Sequence, residues 1–267
     1  MSTLGLEDWQ NIWDGDCAVP AGRDLGELVD QLAGALGDPD PEIRDGYPYV
    51  VLRAWIERDV IGPDLRARLG AVMAARFDDP EIQARTFAPL VLDMIVGRGD
   101  FDPEWLAAFA RWYPAEADLR GYEPPLGWLH AAAHGADLLG VFGLHPRVDA
   151  TAMLDLAVAR LLAPTGHLFD QQEDERIAQA MGLVLTRPEL TEDQALAWTA
   201  PIEAELGRLR SPIPAYASNC LRTLRALYVL ADRGVQRNRS TEPVRMMPHG
   251  PVIKKRIAEV LDIQKAH

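Results

Sequence analysis

Short turns built from Asp, Gly and Pro recur along the chain, and each stands before a segment whose apolar residues return at three- and four-residue steps. Asp40-Pro41, Asp79-Pro80 and Asp102-Pro103 are three such turns. An Asp at the N-cap and a Pro in the first turn start α-helices, and the spacing places apolar side chains on one helix face. Strand signals are nearly absent from the sequence, which shows no sustained two-residue alternation and no glycine hairpin between β-branched runs. The pattern predicts an all-α fold.

The predicted helices, about ten in number, are joined by short turns. They cover residues 25–36, 40–58, 62–76, 79–96, 102–112, 127–142, 149–162, 170–185, 214–232 and 251–265, with a further helix that begins at 191. Helix pairs repeated about every 40 residues are typical of HEAT-like repeats, which stack into an α/α superhelix. An irregular helical bundle is the alternative, because the repeats are too degenerate to align. No linker is long enough to separate two domains, so we expect a single helical-repeat domain over residues 1–267, with a more basic C-terminal segment at 233–267.

The chain carries a formal net charge of −13. Such a surface repels phosphate backbones, and the basic segment contains few aromatic residues, so we expect no nucleic-acid binding. No apolar run approaches the roughly 20 residues that span a membrane, and the N-terminus lacks the features of a secretory signal. These features favour a cytoplasmic protein that binds a small molecule or a protein partner. Cys17 and Cys220 lie far apart without a CxxC pair, which indicates reduced structural thiols.

The segment Gly127–Asp137 combines two histidines and an acid with mostly apolar residues. On a helix, His130, His134 and Asp137 fall within about 60° of one another and project from one face. Two imidazoles four residues apart, with a carboxylate one turn on, can bind a divalent metal such as Zn²⁺ or Mn²⁺. Alternatively, Asp137 orients His134 as a catalytic acid or base, with His130 beside it. A third interpretation is structural, with the three side chains hydrogen-bonded inside the core.

Polar residues elsewhere in the sequence could complete a site around this helix. Arg120 offers a five-donor fork for a carboxylate or phosphate, and Tyr122 offers a phenol. In a superhelix the corresponding helices line one face, so Arg44-Asp45 and Glu173–Arg176 could converge there. Glu173 would then be a further metal ligand or a general base. The structural alternatives are that Arg120 pairs with Asp118 or Glu116, and that Glu173–Arg176 is a solvated face favoured by the helix dipole.

These segments together resemble the bacterial domain-of-unknown-function family 2785. The DPxxRDG-like turn, RSF-like helix, RGY loop, GWxHAxAHGADLL helix and EDER segment of that family correspond to Asp40–Gly46, Arg85–Phe87, Arg120–Tyr122, Gly127–Leu139 and Glu173–Arg176 of this chain. Thr86 stands where the family usually has Ser. The resemblance covers residues 38–185 and implies an α-helical fold but no particular activity. It also implies that one site includes Arg44, Asp45, Arg120, Trp128, His130, His134, Asp137, Glu173 and Arg176.

Several common enzyme signatures are missing from the sequence. It has no Walker loop, no GxGxxG after a strand, no GxSxG elbow and no HExxH motif, which disfavours nucleotide enzymes, α/β hydrolases and zinc proteases. We therefore expect a polar small-molecule site in a concave groove of the superhelix, serving either an acid/base enzyme centred on His134 or a metal-assisted one. Arg120 would hold an anionic group. The alternatives are a protein-interaction scaffold and a resistance protein that sequesters a compound without changing it.

Overall fold

A computed structural model describes residues 3–237 and 242–263. Helices supply nearly all of the regular structure, so the predicted all-α fold is confirmed. The predicted end of the last helix at Lys265, and Arg239 of the basic segment, lie outside the described residues. Within the described part of the chain, no helix is both long enough and apolar enough to cross a membrane.

Two very short strands interrupt the succession of helices between α7 and α8. In chain order, the elements are α1 Leu6–Asp14, α2 Leu25–Ala35, α3 Pro41–Arg44, α4 Tyr47–Glu57, α5 Pro63–Ala75, a 3-10 turn Arg76–Asp78, α6 Ile82–Gly97, α7 Pro103–Ala115, β1 Tyr122–Glu123, β2 Gly127–Trp128, α8 Ala131–Leu144, α9 Ala150–Leu162, α10 Glu173–Val184, α11 Glu192–Ala197, α12 Thr199–Leu206, α13 Ala215–Arg233 and α14 Gly250–Asp262.

Side-chain caps fix several helix starts where the sequence predicted them. The carboxylate of Asp40 accepts a hydrogen bond from the backbone N–H two residues later, at 2.9 Å. Asp149 does the same at the start of α9, also at 2.9 Å. Thr191 and Gln194 form the predicted capping box at the start of α11. Each cap satisfies a backbone N–H that has no partner inside the helix, so the helix begins at a defined residue.

The predicted continuous helix over 40–58 is wrong, because the chain breaks between α3 and α4 at Asp45 and Gly46. Pro48 lies in the first turn of α4. A proline has no N–H to donate, and its ring clashes with the carbonyl four residues earlier, which in this chain belongs to Arg44. The break therefore lets Pro48 occupy a first turn, where a proline is tolerated.

Two of the predicted helices that carry candidate site residues begin later than the sequence pattern indicated. α8 begins at Ala131 and not at 127, because Gly127 and Trp128 are paired in β2. α10 begins at Glu173 and not at 170, and Gln172 before it has a left-handed φ of 68°. In both cases the residues before the helix belong to a loop or ribbon that carries candidate site residues.

The chain clusters into two compact units. The first comprises Met1–Trp112 and Arg120–His134, and the second comprises Tyr113–Leu119 and Gly135–His267. The predictions of a single domain and of a HEAT-like superhelix stay predictions.

The first unit has an aromatic and aliphatic core. The rings of Trp9 and Tyr47 stack with centroids 5.3 Å apart. α6 is buried on most of its circumference, so it lies in the middle of this unit. The fully buried aliphatic side chains of this unit include Leu32, Leu36, Val51, Leu52, Ile56, Val91, Leu92 and Ile95.

The second unit is organised around α13. Its buried residues recur at three- and four-residue steps, which gives the apolar stripe expected of an amphipathic helix. The buried side chains of this unit include Phe142, Ile177, Met181, Val184, Leu224, Leu227 and Ile253.

Candidate functional site

A short antiparallel ribbon brings several predicted site residues together in the first unit. Tyr122 pairs with Trp128 and Glu123 with Gly127. The backbone pairing continues beyond the strands, because the N–H of Leu129 donates to the Gly121 carbonyl at 2.8 Å and that of His130 donates to the Arg120 carbonyl at 3.0 Å. The loop before the histidines is thus a hairpin. The sequence prediction of a helix from residue 127 missed it.

One face of this ribbon carries candidate site residues. Residues directly opposite each other in an antiparallel pair project to the same side, and side chains alternate along each strand. Tyr122 and Trp128 therefore share a face. The ring contacts agree, with centroids 5.2 Å apart for Tyr122 and Trp128 and 4.8 Å apart for Trp128 and His130. Tyr122 and Trp128 are 53% and 40% exposed.

His134 lies at the inner end of this row of rings. Its ring centroid is 5.6 Å from that of His130 and 5.5 Å from that of Phe87. Its Nδ1 lies 2.9 Å from the backbone carbonyl oxygen of Thr86. Because a carbonyl only accepts, Nδ1 carries the hydrogen, and Nε2 is the basic nitrogen of the neutral ring. We call Arg120, Tyr122, Trp128, His130 and His134 the ribbon site.

The buried guanidinium of Arg44 binds the backbone of the ribbon through hydrogen bonds. Its Nη2 donates to the carbonyls of Leu126 and Trp128, the second at 3.4 Å, and its Nε donates to Asp45 at 2.9 Å. Arg44 is completely buried, and its guanidinium lies 5.1 Å from the centroid of the Phe87 ring. These contacts make Arg44 and Asp45 the support of the ribbon. Their direct contact with a ligand stays a prediction.

His130 has a backbone conformation that the sequence pattern did not predict. Its φ is 57°, in the left-handed region that non-glycine residues rarely adopt. His130 is outside α8, which begins at Ala131. The expectation that His130 and His134 project from one continuous helix face is therefore wrong. Residues in such conformations cluster at ligand-binding and active sites. The two rings still meet, because His130 ends the ribbon where α8 begins.

The sequence contained signals for this arrangement. Pro124-Pro125 forces extended backbone before it and cannot continue a helix, and Gly127 permits a positive φ. Its φ is 73°. Together they indicate a turn between two short extended segments. Thr86 acts through its backbone carbonyl, which no side-chain motif indicates. Pro89 within α6 removes the N–H that would donate to the Arg85 carbonyl, so the sequence marks a helix carbonyl next to Thr86 but not that of Thr86 itself.

Asp137, Glu173 and Arg176 belong to the second unit. Arg176 and Asp137 form a two-pronged ion pair, with Nε donating to Oδ1 at 2.8 Å and a second contact between Nη2 and Oδ2. This geometry matches the guanidinium fork to the carboxylate. Glu173 is fully buried at the start of α10. The roles predicted for these residues in orienting His134, in binding a substrate or in binding a metal stay predictions.

A possible metal-binding group also lies in the second unit. Among the described residues, ligand atoms of His167, Asp170 and Glu173 all lie within 4.8 Å of one another. Glu173 was predicted as a metal ligand, whereas His167 was not among the predicted site residues. Its signal was the three-residue spacing of His167, Asp170 and Glu173.

The two cysteines are free and buried. Burial raises the pKa of the Cys220 thiol to about 12. A thiol with such a pKa stays protonated near neutral pH and is a poor nucleophile. The interpretation of Cys220 as a structural residue therefore fits its surroundings.

Comparison with known proteins identifies a family. Residues 74–229, more than half of the chain, match the family described as Protein of unknown function (DUF2785). No curated protein and no solved structure is significantly similar. The matched range includes the Arg85–Phe87, Arg120–Tyr122, Gly127–Leu139 and Glu173–Arg176 segments, while Asp40–Gly46 precedes it. The ribbon site and the α10 segment are thus within the matched range, and the chain belongs to the DUF2785 family.

Proposed function

We propose that the chain binds a small molecule that combines a flat ring with an anionic group, and that it does so at the ribbon site. The observation that carries this proposal is the row of ring contacts from exposed Tyr122 and Trp128, through His130, to buried His134. Aromatic side chains supply a large, rigid contact surface for a ring. A buried histidine with a fixed tautomer supplies a directional polar group.

Arg120 would bind the anionic group. Its Nη1 lies 3.6 Å from a carboxylate oxygen of Glu123, and the two side chains are 40% and 39% exposed. An exposed pair of this kind is worth about 0–1 kcal/mol, so an anionic ligand can replace Glu123 at low cost. The hydrogen bond from the His130 N–H to the Arg120 carbonyl keeps the backbone of Arg120 beside the histidine end of the ribbon.

His134 would act on the bound molecule through Nε2. A histidine that donates its other ring nitrogen to a backbone carbonyl is held in one orientation and one tautomer, which suits a general base or a metal ligand. Both versions predicted from the sequence, acid/base and metal-assisted, use this nitrogen. The function that we propose is binding, and a catalytic role of His134 would be added to it.

Paired probes test the binding proposal. Ligand-observed NMR on the full-length chain would compare indole-3-acetate with tryptamine, which share a ring and differ in the sign of their charge. We expect contact with indole-3-acetate, and a several-fold loss of that contact in W128A, R120Q and H134Q. Trp13→Ala is the matched control, because Trp13 is 38% exposed and lies outside the ribbon site. Equal binding of both probes, or equal loss in W128A and W13A, would show that the contact is nonspecific.

A protein interface is the second candidate, because two neighbouring exposed aromatic side chains are also typical of interaction surfaces. In that case Trp128→Ala and Tyr122→Ala would weaken a protein complex, while His134→Gln, at a buried position, would leave it unchanged. The small-molecule proposal instead predicts that His134→Gln weakens binding of the small molecule. A pull-down with these three variants, compared with the NMR titration, separates the two.

A further inference from the structure

The loop between α9 and α10 brings three metal-ligating side chains together in the second unit. The ligand atoms of His167, Asp170 and Glu173 all lie within 4.8 Å of one another. Bonds to Zn²⁺ of about 2.1 Å place ligand atoms roughly 3 to 3.5 Å apart around the ion. Small side-chain rotations therefore suffice to close the group around a metal.

The imidazole of His167 gives independent support. Its Nε2 is buried, and within the described residues it makes no hydrogen bond. Nearly all buried polar atoms have a partner, and for an exception a water molecule, a ligand or an ion can supply one. A metal bound at Nε2 would supply it, since a neutral imidazole nitrogen is a common metal ligand.

The backbone of this loop is already fixed by α13. The amide of Asn219, which is buried, donates to the His167 carbonyl at 2.9 Å and accepts from the N–H of Phe169 at 2.9 Å. Arg222 donates to the Phe169 carbonyl at 2.5 Å. Because this backbone is already ordered, binding of a metal ion to its side chains loses little conformational entropy.

The charges suit a dication. Two carboxylates and a neutral imidazole bring a formal charge of about −2 to the group. Arg222, the cation that contacts this loop, is paired with Asp174 at 2.8 Å, which offsets its repulsion of a metal ion. Glu173 accepts from the Gln171 N–H at 2.8 Å, and a carboxylate has lone pairs enough to bind a metal as well.

We propose that His167, Asp170 and Glu173 form a binding site for a divalent transition-metal ion, Zn²⁺ or Mn²⁺. One imidazole nitrogen with two carboxylate oxygens is a donor set that both ions accept. Glu173 is buried and Asp170 is exposed, so the ion enters from the Asp170 side. Three protein ligands leave a position for water, as in catalytic metal sites.

The test is titration of the metal-free, tag-free, full-length chain with Mn²⁺ and with Zn²⁺, by calorimetry and, for Mn²⁺, by electron paramagnetic resonance. We expect a single ion per chain and a dissociation constant raised roughly tenfold or more by D170N and by H167Q. Glu175→Gln removes the same charge from an exposed position on α10 and should change the constant by less than about twofold. Asp170→Asn is the main variant, because it removes the charge of an exposed side chain and keeps its shape, so the core is not disturbed.

Three outcomes would overturn the proposal. One is failure of both ions to bind at about 1 mM. Another is equal weakening by D170N and E175Q, which would mean that the acidic surface attracts the ion without a defined site. A Co²⁺ absorption spectrum that H167Q leaves unchanged would also exclude His167 as a ligand. These results do not depend on the ribbon site, since none of the variants lies in the first unit.

Discussion

Replacing Gly127 with Ala is the sharpest test of the way the ribbon site is supported. Gly127 has a φ of +73° and lies directly above the Arg44 guanidinium. A Cβ added there would lie 2.8 Å from Cβ of Pro41, 2.9 Å from Oδ2 of Asp45 and 3.0 Å from Nη2 of Arg44. These neighbours cannot easily retreat, because Arg44 is fully buried and bonded to several carbonyls.

Two separate costs add up in this variant. A left-handed conformation costs a residue with a Cβ about 1 kcal/mol. Overpacking against a fixed neighbour costs about 1–3 kcal/mol more. We therefore expect G127A to lower the free energy of unfolding by about 2–4 kcal/mol, a large part of a typical 5–15 kcal/mol.

Gly22 is a control for the first of these costs alone. Its φ is +75°, and an added Cβ would have no neighbour within 4 Å. Gly22→Ala should therefore cost only about 1 kcal/mol. Urea denaturation followed by both circular dichroism and tryptophan fluorescence gives the two free energies and shows whether the transitions coincide.

The difference between the variants measures the close approach of the ribbon to Arg44. If G127A is no more destabilising than G22A, the ribbon does not rest on Arg44 as described. If it is more destabilising, G127A should also weaken indole-3-acetate binding, because the ribbon must shift to admit the methyl group.

Two further predictions concern titratable groups. Hydrogen bonds from the Thr151 hydroxyl and from backbone N–H groups lower the pKa of Asp149. Its carboxylate therefore stabilises the fold at a pH above the unfolded-state pKa. This stabilisation is lost as the pH falls through the lower folded-state pKa. Asp149→Asn should thus be less stable than the natural chain at neutral pH, with the gap in urea midpoints closing on acidification; a gap that does not depend on pH would contradict this. Burial raises the pKa of Cys220 to about 12, so this thiol should not react with a thiol reagent at mildly alkaline pH until urea unfolds the chain. Peptide mass spectrometry measures the labelling, and rapid labelling of Cys220 in the native chain would refute its burial.

The sequence by itself determined the helical class and most helix starts. These depend on interactions between near neighbours, such as the caps at Asp40, Asp149 and Thr191, which reach two or three residues along the chain. Local interactions of this kind can be recognised from residue type and spacing alone. The family could also be identified from the sequence, because its motifs are contiguous segments.

The ribbon of β1 and β2 could be predicted from the sequence only in part. Its turn residues, Pro124, Pro125 and Gly127, are local signals, yet the two strands are only two residues long each. Such a short pair has little stability alone and requires packing against another element. The Arg44 guanidinium supplies that packing, 82 residues away in sequence from the Leu126 carbonyl it contacts.

Only the tertiary structure decided which polar side chains meet. His134 donates to a carbonyl 48 residues earlier, and the His167 loop is held by Asn219, 52 residues later. Neither bond leaves a periodic trace in the sequence, because each depends on the packing of separate helices. The sequence therefore identified Gly127–Asp137 as an important segment, and the fold decided that its N-terminal part is a ribbon and that Thr86 fixes its buried histidine.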